Sequence, residues 1–107
     1  MSHPDADLGR FAEPALLVLV SLTDGPKHGY AIMADVEGFG REPLGPGTLY
    51  AVLARLERAG LIEPLDADDR RRPYRLTERG AAAVTSRLEG LDRFVALGRE
   101  RLGAPEA

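Results

Sequence analysis

Cysteine is absent from the 107 residues. That excludes disulfides, thiolate zinc sites, iron–sulfur clusters and a cysteine nucleophile. Histidine is scarce, with only His3 and His28, too few for a His-rich metal site within one chain. No metal and no cofactor are expected. Long apolar runs are also missing. The longest, Ala15 to Val20, is far too short to span a membrane. Met1 to Asp7 is polar and acidic, unlike a signal peptide. A cytoplasmic protein with no membrane partner is the expectation.

What is present fits one small globular domain. Apolar residues make up 44% and charged residues 29%, ordinary for a soluble fold. The net charge of −3 argues at first against nucleic acid as a partner. Its distribution alters that reading. Residues 1–40 carry two basic and six acidic side chains, a net of −4, whereas residues 41–79 carry eight basic and seven acidic, a net of +1. Within the middle segment Asp66, Asp68 and Asp69 are followed at once by Arg70, Arg71 and Arg72. Such a cluster is either a local electrostatic footprint or a self-compensating solvated turn.

The apolar pattern predicts the element order. A buried helix over Glu13 to Thr23 opens on Pro14, a favoured first-turn residue, and stops at Asp24-Gly25-Pro26. A second helix spans His28 to Glu37, with Gly38-Phe39-Gly40 after it. A third runs from Pro46 to Ala59 with Gly60 at its C-terminal end. At 100° per residue Leu49, Val52, Leu53 and Leu56 share one face of it, and Gly47, Ala51, Ala54 and Arg58 the other. Leu61 to Leu65 and Pro73 to Thr77 read as a hairpin around the charged turn. Thr77 suits the N-cap of a last helix reaching about Leu102. Along it Ala81, Val84, Leu88, Leu91, Val95 and Leu102 form an a/d-like seam, widened by Phe94 and Leu97.

The expected fold is mainly α with a small β-hairpin: a winged helix-turn-helix plus a long C-terminal dimerisation helix. Its expected divisions are a tail over 1–12, the DNA-binding unit over 13–77, and the last helix and tail over 78–107. A recognition helix must enter a major groove about 12 Å wide, which favours small or hydrogen-bonding side chains on its outer face. Gly47, Thr48, Tyr50 and Ala51 meet that need. Thr48 has the alternative of capping its own helix, and Tyr50 that of packing under the hairpin. Arg70, Arg71, Arg72 and Arg75 suit a wing that grips phosphate or an A·T-rich minor groove; pairing with the neighbouring Asp residues is the competing reading. Lys27 and His28 sit where the helix before the recognition helix crosses the DNA backbone, and His28 suits a capping role equally well. Arg41 and Arg55 complete the candidate contacts.

Three stretches carry a family resemblance. They are His28-Gly29-Tyr30-Ala31-Ile32, the run Gly47 to Ile62 with its Gly-Thr-Leu-Tyr start and its Leu-Glu-Arg-Ala-Gly-Leu-Ile end, and Arg72-Pro-Tyr-Arg-Leu-Thr-Glu-Arg-Gly80. Over residues 13–102 the chain resembles the PadR family of bacterial transcriptional regulators, in its short form with one C-terminal helix. The resemblance implies a homodimer on double-stranded DNA with a pseudo-palindromic operator. It implies a repressor released by a small molecule or another signal. It also implies that the last helix packs on the partner subunit with help from the first. In some short members a pore between the subunits binds flat aromatic drugs against a Trp. This chain has no Trp, which leaves Phe94 as the aromatic side chain for that place.

The residues support a dimer separately. Val84 to Leu102 spans about 27 Å at 1.5 Å per residue, whereas a domain of some 75 residues has a radius of gyration near 11 Å. The far half of the helix overhangs, and an overhanging apolar stripe needs a partner. Leu88, Leu91, Phe94, Val95 and Leu102 are the candidate interface, and Phe11, Leu91, Phe94 and Val95 the candidate lining for an apolar or aromatic effector. Nothing places Glu57, Glu63 or the Asp cluster in the concave, desolvated site that catalysis needs, so no enzyme is expected. Two competing functions remain. One is a winged-helix adaptor that binds protein rather than specific DNA. The other is a small-molecule sensor whose DNA contact is secondary.

Overall fold

The computed structural model describes residues 14–40, 43–65 and 72–103. Phe11, Arg41, Arg70 and Arg71 therefore lie outside the described residues. Among the described residues four α-helices and a hairpin follow one another: α1 (Pro14–Ser21), α2 (Gly29–Glu37), α3 (Pro46–Arg58), β1 (Ile62–Pro64), β2 (Tyr74–Leu76) and α4 (Glu78–Gly103). The run of Leu and Val after Pro14 is helical. It ends earlier than its apolar content suggests, tightening into a 3-10 turn over Leu22–Asp24. There the Thr23 hydroxyl donates to the Val20 carbonyl at 2.7 Å, a local bond that competes with continued helix.

The core lies between α1, α2 and α3, closed by the hairpin and the start of α4. Val18, Leu19 and Leu22 meet Ile32 and Val36 of α2 and Leu49, Val52, Leu53 and Leu56 of α3, with Ile62 and Val84 completing the cluster. The face of α3 expected from its periodicity is the buried one. Gly47, Ala51, Ala54 and Arg58 are exposed. The helix stops where Gly60 takes φ +76°, a conformation that only glycine adopts freely.

The hairpin is antiparallel, with Ile62 opposite Leu76, Glu63 opposite Arg75 and Pro64 opposite Tyr74. Leu65 N–H donates to the Pro73 carbonyl at 2.8 Å and Thr77 N–H to the Leu61 carbonyl at 3.1 Å, so the ladder extends one residue beyond each strand end. A single residue joins the other edge of β2. Lys27 N–H donates to the Tyr74 carbonyl at 3.1 Å, and Tyr74 N–H to the Lys27 carbonyl at 2.8 Å.

Thr77 caps α4 as expected. Its hydroxyl accepts from Gly80 N–H at 3.0 Å and donates to the Gly60 carbonyl at 2.7 Å, tying the end of α3 to the start of α4. At 26 residues and 1.5 Å each, α4 is about 39 Å long. Its only buried residues are Gly80 and Val84. From Thr85 onward it leaves the core. The described residues are mainly helical with one small hairpin, a winged helix-turn-helix carrying a long last helix.

Candidate nucleic-acid interface

The outer side of α3 follows from its inner side. Once Leu49, Val52, Leu53 and Leu56 are buried, helical spacing turns Gly47, Thr48, Tyr50, Ala51 and Arg55 outward, and all five are exposed. Gly45 precedes the helix as its N-cap, with an extended backbone and no side-chain cap. Pro46 lacks an N–H, so Gly47 and Thr48 supply the first free backbone donors. Such donors at a helix N-terminus suit a phosphate. Thr48 stands in the first turn, past the cap position.

Tyr50 does not pack under the hairpin. Its ring lies across the first turn of α2. A Cβ built on Gly29 would meet the Tyr50 hydroxyl at 3.2 Å and the Leu49 side chain at 3.4 Å. A side chain at Gly29 would crowd the Tyr50 ring and Leu49, while Tyr50 itself stays 59% exposed. His28 occupies the N-cap of α2 without a side-chain capping bond; its carbonyl accepts the first helical bond, from Ile32 N–H at 3.1 Å. His28, Gly29 and Tyr50 are thus brought to one ridge.

Lys27 sits beside that ridge with its head turned inward. Its ammonium donates to the Ser21 carbonyl and to Asp24 and lies 3.8 Å from Asp35 Oδ2. The Lys27 ammonium bonded to Asp24 holds that carboxyl below the usual carboxylate range. On the wing, Arg72 is exposed. Arg75 points away from the core but pairs across the hairpin with Glu63, so its charge already has a partner. Tyr74 packs against the core.

Two polar residues stand out only in the structure, Asp35 and the buried Ser21, and Glu63, weighed above only as a catalytic carboxylate, is instead the cross-strand partner of Arg75. The strand bounds Leu61 to Leu65 and Pro73 to Thr77, paired end to end, already set Glu63 opposite Arg75, as the hairpin does. No local signal marks Ser21 and Asp35, which meet over fourteen positions through the Ser21 hydroxyl donating to Asp35 at 2.7 Å.

On α4, Leu88, Leu91, Phe94, Val95, Leu97 and Leu102 are all exposed, Phe94 to 70% and Leu102 to 90%. Among the described residues, no group of three His, Asp or Glu could hold a metal ion, and no helix is long and apolar enough to cross a membrane.

Comparison with known proteins agrees with this architecture. The profile described as "Transcriptional regulator PadR-like family" matches residues 18–86. The chain is 49% identical over 85 residues to an uncharacterized 37.1 kDa protein in transposon TN4556 of Streptomyces fradiae, covering 79% of this chain but only 25% of that protein. It is 38% identical over 91 residues to the transcriptional regulator Rv3488 of Mycobacterium tuberculosis, covering 82% of this chain and 81% of that one. The fold superposes with a TM-score of 0.73 on a crystal structure of a PadR family transcription regulator from Clostridium difficile R20291, at 24% identity over 85% of this chain and 98% of that one.

Proposed function

The chain belongs to the PadR-like family of transcriptional regulators, which are not enzymes, and from that membership we propose that it is a homodimeric repressor that binds DNA sequence-specifically. The observation that carries the reading is the outer face of α3. Gly47, Thr48, Tyr50 and Ala51 are exposed together there, and they are small or hydrogen-bonding, as entry into a major groove requires. Thr48 reads bases. Tyr50 and His28 hold the backbone beside α2. Arg55 and the wing cations Arg72 and Arg75, with Arg70, Arg71 and Arg41, add phosphate contacts. Arg75 must leave Glu63 to do so.

The exposed stripe of α4 joins two copies through Leu88, Leu91, Phe94, Val95 and Leu102. Two-fold symmetry then sets the recognition helices against half-sites about 34–36 Å apart on a pseudo-palindromic operator. An apolar or aromatic effector between the subunits, against Leu91, Phe94 and Val95 and with Phe11, releases the DNA by favouring a different helix spacing. It acts only through its differential affinity for the two states. Such a role places the protein in the cytoplasm.

Selection from a random-sequence duplex pool tests the proposal. A recovered inverted repeat supports it, and a pool that stays unenriched while the protein remains dimeric rejects it. The net charge of −3 favours one competing reading, a winged-helix adaptor that binds protein. That reading predicts no duplex binding even at low salt.

A further inference from the structure

Lys27 occupies a position that suits a phosphate contact, yet its side chain is only 19% exposed. The head is held by partners of its own chain. It donates to the Ser21 carbonyl at the end of α1, pairs with Asp24 in the following turn and lies 3.8 Å from Asp35 on α2. The same Asp35 oxygen accepts the Ser21 hydroxyl at 2.7 Å, and Ser21 is 1% exposed. A lysine side chain this little exposed keeps its charge where charged and polar partners stand in for water. Meanwhile the Lys27 backbone is bonded to Tyr74 in both directions, at 3.1 Å and 2.8 Å. One residue thus grips α1 and α2 by its side chain and the wing by its main chain.

We propose that Lys27 is a positioning residue that fixes the root of the wing against the helix-turn-helix, and not a phosphate ligand. The side-chain clamp locks the Lys27 main chain in place, and the pair of backbone bonds passes that position to β2. Wing residues such as Arg72 and Arg75 are then held at a set distance from α3. Deleting the charge loosens the wing without removing a phosphate contact. The effect on DNA rests on the DNA-binding reading above, whereas the effect on the wing root does not.

Lys27→Met keeps most of the stem and removes the charge. Two measurements separate the possibilities. In the free protein, the Tyr74 amide of Lys27→Met should exchange about tenfold faster than wild type while the Ile32 amide is unchanged, and Lys27→Arg should restore most of the protection. On a fluorescent duplex recovered from the random pool, affinity should fall about tenfold with the slope of log affinity against log salt unchanged. A slope shallower by about 0.9, the signature of one lost phosphate contact, would overturn the proposal. So would an unchanged Tyr74 amide. Should Lys27→Met fail to fold, Asp35→Asn keeps an acceptor for Ser21 and removes one charge partner, and its Tyr74 exchange must rise in the same way. A wild-type protein that recovers no duplex rejects DNA binding alone; the exchange experiment still decides the role of Lys27 at the wing.

Discussion

The Cα of Gly80 faces the Leu61 carbonyl so closely that a Cβ built there would lie 2.0 Å from the oxygen and 2.8 Å from Leu76 Cδ1. The first turn of α4 is thereby pressed onto the residue that leads into the wing. Both neighbours are held: Leu61 accepts from Thr77 N–H, and Leu76 packs against the core. Gly80→Ala must displace backbone and should cost about 3 kcal/mol or more, lowering Tm by more than about 10 °C in a domain of this size. Thermal unfolding followed by circular dichroism measures it. An unchanged Tm would mean that the contact is not so tight.

Thr77→Ala removes one hydroxyl that makes two bonds, to Gly80 N–H and to the Gly60 carbonyl. Loss of an N-cap of this kind costs about 1–2 kcal/mol. Thr77→Ser keeps both bonds and should recover most of the loss in urea denaturation.

Acid should weaken the turn after α1. The bond from the Lys27 ammonium lowers the Asp24 pKa in the folded chain, against about 4 in an unfolded one. The folded state therefore holds the ionised form more strongly. That contribution is complete above about pH 4 and is lost as pH falls through the lower folded value. Asp24 is exposed, so the effect is small. Asp24→Asn should lose stability at neutral pH yet show a shallower decline below about pH 4 in denaturation curves taken across that range.

Phe94 lies far along the stretch of α4 that leaves the core and is 70% exposed. Phe94→Glu should leave helical content nearly unchanged, shift sedimentation from dimer to monomer and remove the rise of Tm with protein concentration that a dimer shows. A wild-type protein that already sediments as a monomer would remove the α4 interface.

The parts legible in the sequence are those governed by local rules. The buried face of α3 follows from the spacing of Leu49, Val52, Leu53 and Leu56, and the start of α4 from Thr77 before Glu78. The hairpin was visible from its flanking apolar runs. What escaped depends on contacts between distant positions. Lys27 reads as a contact to the DNA backbone because nothing nearby in sequence shows that Asp35 and the Ser21 carbonyl converge on it. Gly80 reads as one more residue of an Ala-rich helix, since its need to be glycine comes from Leu61 nineteen positions earlier. Tyr50 reads as a DNA contact or as a ring packed under the hairpin, and its actual neighbour, Gly29, belongs to another helix.

Reading of bases by α3 is tested most directly by fluorescence anisotropy with the duplex upstream of the protein's own gene against a scrambled duplex, at two salt concentrations. Wild type should prefer the upstream duplex at both. Thr48→Ala should narrow that preference by about 1–3 kcal/mol for the affected bases, and Arg72→Ala should weaken both duplexes alike and flatten the salt dependence. Equal, weak binding of the two duplexes that vanishes at the higher salt, with Thr48→Ala indistinguishable from Arg72→Ala, would contradict sequence reading by α3 and leave only nonspecific phosphate contact.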